Sequence, residues 1–371
     1  VPLTGECPQP AEGQQKGKSR LPDRGRLSDN EKERLVFGES LSPQEKEKFI
    51  EMLDEQRRAL SFGWEDLGCL DPSIEAPVMI RTVPHEPWAL KPLRLSQSEW
   101  EEVVRQLKER LAAGVIELSE GPYCSRFFLV KKKNGKMRFI QDVRNLNGVT
   151  IKDAHVPPHL DDLVDRLAGY PIYTLLDAFS GYDQIPLDKR CRDLTAVGTP
   201  LGTMRMTRLP QGYTNSPAVY ERIMSRVLGD LKGITADNLL DDITIKPRSR
   251  RKDESMREPG IRGFVSDHIE DCREILEKLK KANLTVSVEK AIFGTNKATV
   301  LGHTISSDGR SADPKRIGKV VGWQAPKTLK QLRGFLALVA GCNMYIPHAA
   351  ELTEPLIAGI RGKSKAIPSA P

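Results

Sequence analysis

No apolar stretch in this chain approaches the roughly 18 residues that cross a bilayer, and its N-terminus lacks the basic-then-apolar order of a leader. A soluble protein with no membrane partner is therefore expected. Cysteine is sparse: Cys7, Cys69, Cys124, Cys191, Cys272 and Cys342 stand singly, with no CxxC pair and no Cys/His set at zinc-ligand spacing. That excludes a disulfide-stapled scaffold and a zinc module, and reads as reduced, mostly buried thiols of an intracellular protein. No internal repeat is visible. What remains is a chain of 371 residues, 39% apolar, long enough for two or three domains with their own cores. Lys plus Arg number 57 against 50 Asp plus Glu, a net charge of +7, which allows a polyanionic partner without demanding one. The basic residues cluster in KKKNGKMR (131–138) and KPRSRRK (246–252), and either run reads first as a solvated face or loop. The chain starts at Val1 without a methionine and trails off in GKSKAIPSAP, so it is expected to be cut from a longer reading frame.

Periodicity divides the chain. Residues 1 to about 40 are rich in Gly, Pro, Gln, Lys, Arg and Asp and are expected to form a tail without a fold. Phe49, Met52, Leu53 and Leu60 behind Ser42 and Pro43 predict a helix to about residue 60. Five prolines between residues 71 and 95 predict an extended surface run. Ser96 then caps a helix carrying Trp100, Val103, Val104, Leu107 and Leu111 on one face, closed by Gly114. FFLVKKKNGKMRFIQD predicts a hairpin turning at Asn134 and Gly135 with a positive tip. YTLLDAF is a short strand ending in Asp177, and residues 216–231 form a helix with Pro217 in its first turn. Residues 267–282 and 328–340 are further amphipathic helices, with strands expected around 284–288 and 299–305.

The chemical oddity is NLLDDITI (238–245), where Asp241 and Asp242 interrupt a buried-looking run. Alone, such a pair is most often a turn, a cap or a solvated bend. Asp177 ends a second strand, however, and a fold joining those ends would collect three carboxylates. Like charges that close raise one another's pKa unless a cation neutralises them, and magnesium is the hard, oxygen-seeking guest that shares its shell with phosphates. Two such ions serve phosphoryl transfer.

FLVKKKNGKMRFIQDVRNLN, LLDAFSGYDQIPL, RLPQGYTNSPAVYERIM, NLLDDITI, LTVSVEKAIFG and LGHTIS follow one another in the order and approximate spacing of the blocks of reverse transcriptases. Over roughly residues 86–356 the chain resembles the pol region of gypsy-type long-terminal-repeat retrotransposons. The resemblance implies an α+β right-hand polymerase: an N-terminal extension (1–75), largely disordered with one helix; fingers and palm (76–312), the palm an antiparallel sheet with helices behind; and a helical thumb (313–371). It also implies an RNA-directed DNA polymerase, a nucleotidyltransferase copying retrotransposon RNA into DNA. Its partners would be an RNA or DNA template-primer duplex and deoxynucleoside triphosphates, its location the cytoplasm in virus-like particles.

Residue by residue, the resemblance makes Asp177, Asp241 and Asp242 the ligands of two Mg2+ ions, with Mn2+ as a substitute, and adds the backbone of Ala178. Tyr182 would stack under the incoming sugar and exclude a 2′-hydroxyl. Lys132 and Arg138 would hold the triphosphate, Arg by its planar fork and Lys as a point charge. Gln211 and Gly212 would line the nucleotide pocket, while Asn215 and Pro217 shape the turn beside it. Lys290 would protonate the leaving pyrophosphate, an ordinary surface lysine being the bland alternative. Leu301, Gly302 and His303 match the primer grip.

Three positions depart from the family pattern. Leu239 stands where an aromatic, most often tyrosine, is usual; Phe179 and Asp183 replace a smaller or aliphatic residue and a histidine. Leucine either fills the same apolar slot or marks a weakened copy. No Asp-Thr-Gly or Asp-Ser-Gly protease signature, no integrase His/Cys array and no room for an RNase H domain are seen, so the polymerase module alone is expected. Three readings stand: an active reverse transcriptase, a catalytically weakened nucleic-acid-binding relic, and an RNA polymerase of the same palm type, against which Tyr182 speaks.

Overall fold

A computed structural model describes residues 25–131, 135, 137–154 and 159–361. Its centre is a four-stranded antiparallel sheet in the order Ile292–Thr295, Tyr173–Asp177, Asp242–Ile245, Ala236–Leu239. Helices Ser216–Leu228 and Gly263–Lys281 cover one face. Their apolar residues recur at helical spacing, Val219, Ile223, Met224 and Val227 on the first and Val265, Ile269, Cys272, Ile275, Leu276 and Leu279 on the second, and all are buried in the main core. The second of these helices begins four residues earlier than its periodicity predicts.

The expected helix after Ser96 is Gln97–Ala112, opened by a reciprocal Ser96–Glu99 capping box and followed by Gly114 at φ +69°. Val103 and Leu107 are buried, but Trp100 and Leu111 are exposed. The basic hairpin pairs Phe127–Lys131 with Met137–Gln141, its base fixed by Phe127 stacked on Phe139 at 4.7 Å. Gly135 takes φ +82° in its turn; Asn134 and the expected triphosphate ligand Lys132 lie outside the described residues. A three-stranded sheet, Ile116–Leu118, Gly202–Met206 and Val197–Thr199, adjoins this region.

A second antiparallel sheet, Lys297–Val300, His303–Ser306 and Gly309–Ala312, shares a smaller core with the helix Leu160–Leu167 through Leu163, Val164, Leu167, Tyr170, Tyr173, Ala298 and Ile305. Helices Pro314–Val321, Leu329–Ala340 and Ala349–Arg361 follow. Among the described residues no helix is long and apolar enough to cross a membrane. Of the cysteines, Cys191, Cys272 and Cys342 are buried and free, Cys69 and Cys124 half-buried and free; Cys7 lies outside the described residues.

Two expectations need correction. The first is the N-terminal extension, which is not a loose tail from residue 25 onward. Leu27, Leu35 and Leu41 are buried, a short helix Asp29–Glu33 carries a Ser28–Glu31 capping box, and the helix Pro43–Glu55 puts Phe49, Met52 and Leu53 into the main core. That helix ends before residue 60, and Leu60–Ser61 instead form a strand parallel to Val286–Ser287. These isolated apolar residues have no local period; their partners lie at the far end of the domain. The second correction is partial: the basic run after residue 245 is exposed from Arg248 to Lys252, as expected, but its first residue is not. Lys246 is buried with its Nζ donating to Tyr170 Oη and Gly233 O, both at 3.2 Å, Arg248 pairs with Glu274 at 2.5 Å and Asp271 at 3.4 Å, and a small hairpin, Met256–Glu258 with Ile261–Arg262, follows.

Candidate active site

The central sheet sets the site through its register. Asp177, the last residue of its strand, stands directly opposite Asp242, the first residue of the next, and Asp242 is in turn opposite Leu239. Asp241 sits between in the turn, behind Leu240, which holds a left-handed backbone at φ +51°. A leucine there is strained by about 1 kcal/mol, and such strain persists where the surroundings over-determine it. The strands are joined past their ends by Ala178 N–H donating to Asp241 O at 2.8 Å. Gly181 is required nearby, because a Cβ there would lie 2.4 Å from Asp241 Oδ1.

The electrostatics follow from this crowding. Burial, then the charges of Asp177 and Asp242, push the Asp241 carboxyl up to about 6, with Lys290 opposing. Burial and Asp177 raise Asp242 as well. Lys290 Nζ donates to Asp177 Oδ1 at 2.7 Å, while the lysine side chain itself is well exposed. Asp241 Oδ1 is buried and has no hydrogen-bond partner among the described residues. As they stand, no three His, Cys, Asp or Glu side chains among the described residues are close enough to hold one ion. The donor set nonetheless fits a hard divalent cation: three carboxylates on adjoining strand ends, mutually repelling, with one oxygen left unpaired.

Around this centre the other expected residues fall into three groups. Tyr182, in the turn Gly181–Gln184, packs edge-on against Tyr220 at 5.4 Å, and burial followed by the Asp241 charge pushes its phenol up to about 12. The fingers hairpin meets the palm where Arg138 donates to Gln211 Oε1 at 2.6 Å. Gly212 takes φ +83°, and its carbonyl accepts from Asn147 Nδ2 at 3.0 Å. Asn215 shapes the turn, as expected, bonding to Ile151 O and the Asp153 N–H. Leu301 and Gly302 turn between strands at φ +55° and +82°, and His303 Nδ1 shares a 2.7 Å hydrogen bond with Tyr345 Oη.

The three departures acquire physical surroundings. Leu239 lines a cavity of about 250 Å³ together with Leu163, Leu167, Val300 and Leu301, with Asp177, Asp242 and Lys290 on the same wall. Leu239 is thus partly buried at the edge of the smaller core, with space open beside it. Asp183 is buried, accepts from Ser180 Oγ at 2.6 Å, and is pushed up by desolvation against the opposing charges of Arg110, Arg208 and Arg138. Phe179 meets Trp64 edge-on at 5.7 Å. Sequence reasoning missed Trp64 and also Gln184, whose buried amide donates to Phe179 O and Thr285 O, both at 2.8 Å, and accepts from Thr285 N–H. Neither residue carries a periodic or spacing signature.

Comparison with known proteins bears on this arrangement. Residues 130–305 match the family described as reverse transcriptase (RNA-dependent DNA polymerase). The retrovirus-related Pol polyproteins from transposons 297 and opus of Drosophila melanogaster are 29% identical over 292 residues and 31% identical over 300 residues, covering 77% and 78% of this chain. The chain spans only about a quarter of these relatives, 26% and 28%. A solved foamy viral protease-reverse transcriptase in complex with dsDNA superposes with a TM-score of 0.79 at 21% identity, covering 93% of this chain and 69% of that one. The fold is thus that of a right-hand polymerase, and residues 130–305 are similar to the reverse transcriptase family.

Proposed function

We propose that this chain is the polymerase module of a gypsy-type retrotransposon Pol protein, an RNA-directed DNA polymerase that extends a primer on RNA or DNA from deoxynucleoside triphosphates. The observation that carries this reading is the register placing Asp177 against Asp242, with Asp241 in the turn and Lys290 2.7 Å from Asp177. Asp177, Asp241 and Asp242 would hold two Mg2+ ions, or Mn2+, which supply Lewis-acid stabilisation at the attacking and leaving oxygens when bound. Lys290, next to the carboxylates, is placed to give a proton to the departing pyrophosphate. Arg138, held toward the palm by Gln211, offers a fork of donors to the triphosphate. Tyr182, braced by Tyr220, presents a neutral ring where a sugar lacking its 2′-hydroxyl fits. Gly212 lets the backbone approach the nucleotide, and Leu301, Gly302 and His303 form the turn that supports the primer. Affinity for the duplex would rest on phosphate contacts and fall with salt.

The retention of all three carboxylates on adjoining strand ends supports a competent site over a weakened relic. Primer extension on an RNA template with Mg2+, with deoxy- or ribonucleotides and with Asp241→Asn as control, tests the reading. Extension by deoxynucleotides, abolished in the variant, is expected. Binding of template-primer without any extension selects the relic, and preferential use of ribonucleotides selects the RNA polymerase.

A further inference from the structure

The chain before residue 70 lies outside the family match, yet it touches the segments that build the site at four places. Phe293 N–H donates to Val36 O at 2.9 Å and Gly38 N–H to Phe293 O at 2.8 Å. Leu60 and Ser61 pair in parallel with Val286 and Ser287, and Val288 N–H donates to Ser61 O at 3.1 Å. These two contacts bracket Lys290 on both sides. Further along, Leu70 N–H donates to Gln184 O at 2.8 Å and Cys69 N–H to Asn283 O at 2.9 Å, beside the amide that fixes Phe179 O. Between them the Trp64 ring meets Phe179, whose neighbour Ala178 is bonded to Asp241.

The arm is itself held rigid. Arg57 is buried and donates to Leu60 O at 2.9 Å, to Glu31 at 2.5 Å and to Asp66 at 3.4 Å, with its guanidinium 4.7 Å from the Phe62 ring centroid. A buried cation with several partners fixes one geometry. Gly38 has no freedom either, since a Cβ there would meet Gly294 O at 2.2 Å.

We infer that Trp64 is a positioning residue for nucleotide addition: by holding the Phe179 ring it sets the Ala178–Asp241 junction and the turn carrying Tyr182, and the arm around it does the same for the Lys290 turn. This rests on the polymerase reading. Misplacing reacting groups by a fraction of an ångström is costly in rate, and because the half-buried Trp64 ring also packs against the main core, fold and rate are read separately. The arm would then act on the incoming nucleotide and leave the duplex grip alone.

The test uses the full chain as wild type, Trp64→Ala and Trp64→Phe. Single-nucleotide addition to an RNA template-primer with Mg2+ reads KM for the deoxynucleotide, kcat and the preference over the ribonucleotide. Hydrogen exchange without nucleotide reads the amides of 177–185 and 240–246. Expected in Trp64→Ala are a rise in KM of about 5-fold or more, a smaller preference over ribonucleotide, unchanged template-primer affinity, and faster exchange confined to those two segments. Trp64→Phe, which keeps a ring, restores most of each. A folded Trp64→Ala with wild-type KM, preference and exchange overturns the inference, as does a uniform loss of protection across the chain in both variants. A wild-type chain that extends no primer defeats the polymerase reading instead; the exchange comparison still decides whether Trp64 holds the junction.

Discussion

Lys290 Nζ lies 2.7 Å from Asp177 Oδ1, and Asp177 faces Asp242 across a strand pair, so the cluster's nearest cation comes from a chain segment outside both strands. An exposed pair of this kind contributes little to folding on its own. Its effect is on the carboxylates, whose repulsion it partly offsets. Lys290→Ala is expected to lower primer extension by about 10²- to 10⁴-fold, the range for loss of a proton donor. Lys290→Arg, which keeps the charge but not the acidity, should rescue stability and not rate. Steady-state kinetics and thermal melting on the same samples check both.

Asp241 provides a second prediction, because its carboxyl titrates at about 6 in the folded chain against 3.8 ordinarily. A raised acid makes the folded state bind the extra proton between those values, so metal-free stability falls as pH rises through that window. Asp241→Asn should therefore abolish extension while making the metal-free protein more stable at pH 7, by about 1–2 kcal/mol after allowing for its partial exposure. Urea melts in the presence of a chelator decide this; an unchanged or lower midpoint would falsify it.

His268 works in the opposite direction. It is fully buried between the helix Gly263–Lys281 and the central sheet, with Nε2 2.9 Å from Thr174 Oγ1 and Cys272 Sγ close by, and burial holds its imidazole down at about 3. The unfolded chain takes up a proton near 6.5 and the folded one does not, so stability present at neutral pH is lost as pH falls from about 6.5 toward 3. At pH 4.5 the loss from this residue is about 2–3 kcal/mol. Because Asp241 and Asp271 are raised and pull the other way, the comparison to make is wild type with His268→Gln, whose stability relative to wild type should rise as pH falls from about 6.5.

Gly38 tests the arm's fit to the sheet. An added methyl would sit 2.2 Å from Gly294 O and 2.6 Å from Thr295 Cα, backbone atoms that cannot swing aside. Gly38→Ala is expected to destabilise by about 2–3 kcal/mol, read as a lower melting temperature, whereas an alanine at Gly114, with nothing within 4 Å, meets no such collision.

Leu239→Tyr adds a ring beside a cavity of about 250 Å³. Filling existing space should change stability by less than about 1.5 kcal/mol and leave extension at or above the wild-type rate. A collapse of either would mean that leucine is required by its neighbours Val300 and Leu301.

The parts of this fold that were legible before the structure are those whose cause is local. Ser96 with Glu99 and Thr328 with Gln331 close capping boxes within one turn, and the residues behind them show the helical period. The hairpin around Gly135 is likewise written in adjacent residues. Asp177, Asp241 and Asp242 were legible as a set only through motif order, since their meeting depends on a strand register that no local pattern reports. What escaped notice was non-local: Leu27, Leu35 and Phe37 look like stray apolar residues in a polar tail until the main core is placed around them, Phe49 and Phe293 against Phe37. Trp64 and Gln184 escaped for the same reason. In the basic run at 246–252 only the buried Lys246 escaped, because Tyr170 and Gly233, which hold its ammonium, give no signal in the run itself.

The parallel pairing of Leu60 with Val286 bears on how the chain is made. One strand of that pair leaves the ribosome early and waits for almost the whole polymerase body to be synthesised before its partner exists. Contacts of such separation form late and slowly, and Leu27, Leu35 and Phe37 stay exposed in the meantime. Completion of the carboxylate centre is thereby tied to the closing step of folding, so that a nascent or prematurely ended chain holds its carboxylates without the frame that aligns them.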